Sequence, residues 1–151
     1  MDNRDGCPTA TMRILGVDHG SKRIGLAVSD ETGTVATPVG YVTSVAELLR
    51  IAAERGAQQI VVGIPRRLDG SDSEQTARTL AFIAALVKAT TLRVTHWDER
   101  LTTAQAERVL IEGNVRRANR REKRDQLAAQ LLLQSYLDAT TAKAARMRDE
   151  Q

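Results

Sequence analysis

Short, dense runs of apolar residues separated by polar turns occupy the first 40 positions of the chain. Three of these runs predict β-strands, because each is rich in β-branched or small apolar residues and is bounded by turn residues; they cover 13–18, 24–28 and 34–37. Pro38 is expected to end the third strand. The glycine-containing turns between the runs are tight, so the sequence predicts an antiparallel meander.

From residue 44 the apolar spacing becomes helical. Ser44 and Glu47 have the spacing of a capping box, and the helix they open is expected to end near Gly56. The next run, 59–64, is continuously apolar and is closed by Pro65. Such a run is typical of a strand that is covered on both faces.

The remaining elements alternate between helix and strand. Ser71 and Glu74 could cap a second helix, whose buried stripe is expected to be Leu80, Ile83, Ala84 and Val87. The final elements are a strand over 92–97, a helix from Thr102 to Gly113 and a long helix from about Glu122 to Ala145.

A meander followed by strand–helix alternation predicts one α/β domain. We expect a mixed five-stranded sheet, first antiparallel and then parallel, with helices on both faces. The domain is expected to cover 12–140, between a disordered polar tail over 1–11 and a helix end or tail over 141–151.

Composition narrows the functional class. The single cysteine, Cys7, excludes an internal disulfide and a cysteine zinc cage, although it leaves an oxidised intermolecular disulfide open. No apolar run approaches the ~20 residues of a membrane span, and the first residues lack an apolar signal core. A cytoplasmic protein without a membrane partner is therefore expected. Aromatic residues are only 3% of the chain, which weighs against a row of base-stacking aromatics.

Three acidic residues occupy positions where α/β proteins carry their chemistry. Asp18 ends the first predicted strand and Glu99 follows the fifth. Asp125 lies on the apolar face of the last helix, in line with Ala129 and Leu132, where an aspartate needs a partner. A structural salt bridge would explain Asp125 alone, but the three together are candidate catalytic and metal-binding residues.

Clustered carboxylates repel one another unless a proton or a cation lies between them. Hard divalent cations such as Mg²⁺ prefer sites built from oxygen ligands. Two such ions ~4 Å apart activate a water and stabilise the leaving oxygen of a phosphodiester. The sequence therefore favours a hydrolase that cleaves phosphodiester bonds, a nuclease, with Mg²⁺ or Mn²⁺ as cofactor and two ions expected.

Basic residues supply candidate contacts to nucleic acid. Although the formal net charge is only +3, six of the nine residues 116–124 are basic. A solvated helix end is the simpler explanation of this run by itself. Beside the acids, it would hold a phosphate backbone. The candidate nucleic-acid-binding residues are Lys22, Arg23, Arg66, Arg67, Arg100, Arg116, Arg117, Arg120, Arg121, Lys123 and Arg124.

Five segments resemble the motifs of the YqgF family, also called RuvX, a family of pre-16S rRNA nucleases and Holliday junction resolvases. The resemblance runs from Met12 to about Asp138, and the segment 98–103 (DERLTT) is its most specific part. The matching segments are 14–25 (ILGVDHGSKRIG), 27–30 with 36–38, 62–65 with 69–71, 98–103, and 125–129 (DQLAA).

The resemblance implies a ribonuclease-H-like fold in which Asp18, Glu99 and Asp125 bind Mg²⁺ or Mn²⁺. It also implies a nucleic-acid substrate, either the 5′ end of pre-16S rRNA in ribosome biogenesis or branched DNA in recombination. Junction resolution would require a homodimer, since two strands are cut symmetrically; the sequence leaves monomer and homodimer open. The chain departs from the family pattern at Arg66-Arg67, where an apolar–Asn pair is usual, and at His19, whose role the sequence leaves open.

Two other functions fit parts of the pattern. The glycine turn after Asp18 could cradle the phosphates of ATP, as in sugar kinases and actin-like ATPases, but 151 residues leave no room for the second domain of such enzymes. A non-catalytic RNA-binding ribosome-assembly factor would keep the acids without using them. Metal-dependent cleavage distinguishes this factor from a nuclease.

Overall fold

The computed structural model describes residues 13–20, 22–65, 69, 71–99 and 128–140. Five strands and three helices lie in these residues. The strands are β1 (Ile14–His19), β2 (Ile24–Ser29), β3 (Ala36–Val42), β4 (Gln59–Ile64) and β5 (Arg93–Asp98). The helices are α1 (Val45–Glu54), α2 (Glu74–Ala89) and the helical residues 128–140, here called α3.

The strands form one mixed sheet in the order β3-β2-β1-β4-β5. β1, β2 and β3 pair antiparallel, as the tight turns between them require. β4 pairs parallel to β1, and β5 pairs parallel to β4. The predicted fold, a meander continued by parallel strands, is confirmed.

The sheet separates two apolar cores. On one face, the strands pack with α1 and α2 through a cluster that includes Leu15, Val62, Leu48 and Leu86. On the other face, α3 contributes Ala129, Leu133 and Leu137 to a cluster with Ile14, Ala27 and Val61. Because side chains alternate along β1, Asp18 belongs to the α3 face.

The predicted N-cap of α1, Ser44, is confirmed, whereas the Glu47 carboxylate bonds to the amide of Thr43 instead of closing a capping box on Ser44. The Ser44 hydroxyl accepts a hydrogen bond from the Glu47 amide at 3.2 Å, and the Glu47 carboxylate accepts one from the Thr43 amide at 3.1 Å. The chain leaves the helix at Gly56, whose φ of 68° is easily adopted only by glycine.

The predicted bounds of the third strand were wrong. Pro38 was expected to end it, whereas β3 runs from Ala36 to Val42 and Pro38 pairs with Ala27. Since β3 is an edge strand, a missing N–H on its outer side removes no ladder hydrogen bond.

The buried face of α2 also differs from the predicted stripe. Ser73, not Ser71, caps the helix, in a capping box with Thr76. Of the predicted stripe, Ile83 packs against the core, whereas Leu80, Ala84 and Val87 are exposed. The buried residues are Thr76, Thr79, Phe82 and Leu86. Thr76 can be buried because its hydroxyl donates a hydrogen bond to the Pro65 carbonyl.

Several predicted segments lie outside the described residues. They are the helix over 102–113, the start of the last helix, and the two tails over 1–11 and 141–151. Among the helices that are described, none combines the length and apolar character needed to cross a membrane.

Candidate active site

Asp18 and Glu99 meet at one edge of the sheet. Asp18 lies near the end of β1, and Glu99 directly follows β5. β1, β4 and β5 are parallel, so their carboxyl ends reach the same edge, where ligands of α/β sheets commonly bind.

A glycine lies between the two acids. Gly16 pairs with Val61, and Gly63 pairs with Trp97. By strand alternation, Gly63 therefore shares its face with Asp18 and with the side chains of β5 that lead to Glu99. A Cβ atom on Gly63 would lie 2.9 Å from Glu99 Oε1 and 2.9 Å from Leu132 Cδ2. The missing side chain lets Glu99 lie over β4 and lets α3 approach the sheet.

A second glycine brings α3 close to β1. A Cβ atom on Gly16 would lie 2.7 Å from the Cβ of Leu133, closer than real atoms approach. Sequence reasoning placed both glycines in motifs but missed this packing role. The signal was available, because glycine inside a buried strand commonly marks a close backbone approach.

The carboxyl groups of Asp18 and Glu99 are hydrogen-bonded to each other. Burial, this hydrogen bond and the negative charges of Asp18 and Asp98 together raise the pKa of Glu99 to about 8. Two carboxylates have no donor between them, so the contact requires a shared proton. A divalent cation can take the place of that proton, since it is a stronger positive partner for oxygen ligands. The carboxylate oxygens of Asp18 and Glu99 are therefore suitable ligands for a hard metal ion.

The third predicted acid, Asp125, lies outside the described residues. Within those residues, no three acidic, histidine or cysteine side chains form a group able to hold a metal. α3 runs away from the acids, since Leu132 lies beside Gly63 and Glu99, whereas the Tyr136 hydroxyl accepts a hydrogen bond from Gln59 at the start of β4.

His19 is turned away from the acids. It follows Asp18 in β1, so its side chain belongs to the opposite face, where it stacks on Phe82 with ring centroids 4.3 Å apart. Burial lowers the pKa of His19 against the opposing effect of Asp18. Its Nδ1 is buried and has no hydrogen-bond partner in the described part of the chain. These contacts describe a packed ring on the α2 side of the sheet.

Two of the predicted nucleic-acid-binding residues are described. Lys22 is exposed and Arg23 is half-buried, both in the β1–β2 turn at the edge that carries Asp18. The structure does not describe the others: Arg66, Arg67, Arg100, Arg116, Arg117, Arg120, Arg121, Lys123 and Arg124. Cys7, the residue of the predicted intermolecular disulfide, also lies outside the described part.

Comparison with known proteins adds sequence and fold relatives. Residues 12–139 match a family model described as "RuvX: Holliday junction resolvase". A protein of Pelotomaculum thermopropionicum is 42% identical over 135 residues, which cover 85% of this chain and 88% of that protein. One of Symbiobacterium thermophilum is 43% identical over 138 residues, which cover 87% and 96%. Both are described as "Putative pre-16S rRNA nuclease".

The fold is similar to that of a solved nucleic-acid complex. Thermus thermophilus RuvC, in complex with a Holliday junction substrate, superposes with a TM-score of 0.56 at 15% sequence identity. The match covers 86% of this chain and 97% of that one. At 15% sequence identity, the similarity shows a shared fold.

Proposed function

The chain belongs to the RuvX family, and from this premise we propose that it is a metal-dependent nuclease that processes the 5′ end of pre-16S rRNA. The observation that carries the proposal is the contact between the Asp18 and Glu99 carboxyl groups at the carboxyl edge of a parallel strand pair. The names of the two relatives support the RNA substrate.

Asp18 and Glu99 would hold Mg²⁺ or Mn²⁺ together with Asp125. When bound, a pair of such ions supplies an activated water and neutralises the charge that develops on the cleaved phosphodiester. The chain's own contribution is to hold the carboxylates together. Gly63 leaves space for Glu99, because a Cβ atom there would lie 2.9 Å from Glu99 Oε1.

Lys22, Arg23 and the basic residues outside the described part would bind the phosphate backbone. Contacts to phosphate fix the position of a nucleic acid without reading its sequence. The description of the family model favours a second substrate, a four-way DNA junction. Cleavage of a junction would call for a homodimer.

The decisive experiment compares both substrates in one assay. End-labelled RNA carrying the 5′ precursor sequence of 16S rRNA and a labelled four-way junction are incubated with the full chain in Mg²⁺, Mn²⁺ or EDTA. We expect metal-dependent cleavage of the RNA. In Asp18→Asn, Glu99→Gln and Asp125→Asn, cleavage is expected to fall more than about 100-fold, since even changes outside the ligand shell cost 10–100-fold.

Glu54→Gln is the matched control, because Glu54 is an exposed acid paired with Arg50 on α1, far from the sheet edge. It should cleave like wild type. Cleavage of the junction but not of the RNA would show that the chain is a metal-dependent nuclease whose substrate is branched DNA. If wild type binds RNA as Asp18→Asn does and neither cuts with Mn²⁺, the chain is a binding factor and the nuclease proposal is wrong.

A further inference from the structure

The outer face of α2 is apolar along most of its length. From Leu80 to Val87 every exposed residue of this helix is alanine, leucine or valine. Leu80 is 41% exposed and Val87 is 51% exposed, although the sequence predicted both to be buried. The solvent-facing side of a helix ordinarily carries polar and charged residues. An apolar outer face is therefore typical of a helix that contacts another protein surface.

Four residues of this face have the spacing of a coiled coil. They follow one another at intervals of three, four and three residues, which is the spacing that places side chains in one seam between two packed helices. All four are exposed, and small side chains alternate with larger ones along the row. We call them the α2 seam: Ala77, Leu80, Ala84 and Val87.

The α2 seam is complementary to itself. Phe82 lies midway between Leu80 and Ala84, and it also lies midway between the two outer members of the seam. Two copies can therefore pack antiparallel about the level of Phe82. Leu80 of each copy then faces Ala84 of the other, and Val87 likewise faces Ala77. A larger side chain fills the space beside a small one in every layer, and such reciprocal pairing is what a two-fold interface between identical chains requires.

The charges beside the seam favour the same arrangement. Glu74 lies in the first turn of α2 and Lys88 in the last turn, on the same side of the seam because they are two heptads apart. Antiparallel packing puts Glu74 of each copy opposite Lys88 of the other, whereas parallel packing would put like charges together. The Glu74 side chain is 91% exposed, and its contact with Arg78 is a weak surface pair, so it can take a new partner.

We propose that two copies of the chain form a two-fold dimer through antiparallel α2 helices, with the α2 seam at its centre. A second copy is favoured over an unrelated partner, because an unrelated partner would not require the side-chain sizes and the charges to be symmetric about one residue. The contact is small, since α2 has 16 residues and is about 24 Å long. Small interfaces are typical of transient complexes, so monomer and dimer should both be observed.

Sedimentation velocity of the full chain tests the dimer. It is measured from micromolar to millimolar concentrations in reducing buffer, so that Cys7 does not cross-link two copies. We expect the dimer fraction of wild type to rise with concentration. Leu80→Gln should weaken dimerisation by more than about tenfold, because each dimer buries two copies of this side chain. Val35→Gln is the matched control, since Val35 is 53% exposed in the β2–β3 turn, and it should dimerise like wild type.

Charge reversal tests the orientation of the two helices. Glu74→Lys and Lys88→Glu should each weaken dimerisation about tenfold, because two attractive pairs become repulsive. The double variant, which exchanges the two charges, should dimerise like wild type. Glu54→Lys is the matched control, because it reverses an exposed acid on α1. Thermal midpoints above the temperature of the measurement show that each variant is folded.

A wild type that stays monomeric at every concentration would overturn the proposal. In that case, a lower thermal midpoint in Leu80→Gln would show that a segment of the same chain covers the seam. Dimerisation of Leu80→Gln with wild-type affinity would place the interface on another surface. Failure of the charge exchange to restore the dimer would exclude the antiparallel arrangement.

The dimer goes beyond the proposed function and does not depend on it. The measurement contains neither metal nor nucleic acid, so its result is separate from that of the cleavage assay. The dimer stands if neither substrate is cleaved, and the nuclease acting on RNA stands if the chain is monomeric.

Discussion

Glu99 occupies a position that is unfavourable for a carboxylate. It is held against Asp18 and close to Asp98, and burial removes much of the water that would solvate its charge. A chain selected for stability alone would place a neutral residue here. Active sites commonly carry such local destabilisation, because the arrangement that holds a cation repels itself when the cation is absent.

Replacement of this acid should therefore stabilise the metal-free protein. The pKa of Glu99 is about 8 in the folded chain, against 4.5 for an ordinary glutamate. Between these values the folded state retains a proton that the unfolded state releases, so the free energy of unfolding falls as the pH rises from 4.5 to 8. Glu99→Gln removes this loss, and its amide can still donate a hydrogen bond to Asp18.

In EDTA at pH 8 we expect the thermal midpoint of Glu99→Gln to exceed that of wild type by at least about 4 °C, and the difference to vanish near pH 4.5. Differential scanning fluorimetry across this range measures it. Glu54→Gln, which changes an exposed acid, should follow wild type at each pH. The prediction would be contradicted if the thermal midpoint of wild type rose relative to that of Glu99→Gln as the pH increased.

At the scale of elements, the sequence predicted most of what local pattern can determine. β1, β2 and β4 are nearly continuous apolar runs, and their positions were predicted within one or two residues. What it missed depends on partners that are distant in the chain. Pro38 is tolerated because no strand in the described part of the chain pairs on the outer side of β3. Thr76 is buried because its hydroxyl donates a hydrogen bond to the Pro65 carbonyl.

The candidate site was predictable to a similar extent. Strand ends identified Asp18 and Glu99, and parallel pairing implied that they share an edge. The face of the sheet on which Tyr41 lies was not predictable, because it depends on a β-bulge in β3, where Val39 is an extra residue between Pro38 and Gly40. Strict alternation along the strand would put Tyr41 and Pro38 on opposite faces of the sheet.

Two glutamines fasten α3 to the beginning of β3. Gln134 accepts a hydrogen bond from the Ala36 amide and donates one to the Thr34 carbonyl, both at 2.9 Å. Gln130 donates one to the Ala36 carbonyl at 3.0 Å. The helix is thereby tied to the meander by polar contacts at the margin of its apolar face.

Gln134→Ala should loosen this attachment. We expect a loss of about 1–2 kcal/mol in the free energy of unfolding, because a half-buried amide and a carbonyl lose their partner. Urea denaturation measures the loss, and the Ala36 amide should exchange its hydrogen faster. Arg50→Ala removes an exposed ion pair on α1 and should cost no more than about 0.5 kcal/mol. Equal exchange of the Ala36 amide in both variants would show that Gln134 does not hold the helix.

At the scale of the whole molecule, the sheet separates two cores with different tasks. The core under α1 and α2 includes Leu86, whereas the core under α3 includes Leu133, which lies directly against Gly16. Asp18, Gly63 and Glu99 all lie on the α3 face. The position of α3 therefore affects the site, while the opposite core contributes mainly stability.

Creating a similar cavity in each core should show which core affects activity as well as stability. Leu133 and Leu86 are both fully buried, and truncation of either to alanine is expected to cost about 2–5 kcal/mol. Leu133→Ala should also lower kcat for metal-dependent cleavage, since α3 can then settle differently against the strands that carry the acids. Leu86→Ala should keep the wild-type kcat at a temperature where both variants are folded, because its cavity lies across the sheet. If the two variants lose stability equally and kcat equally, the site does not depend on how α3 is packed, and the assignment of separate tasks to the two faces is wrong.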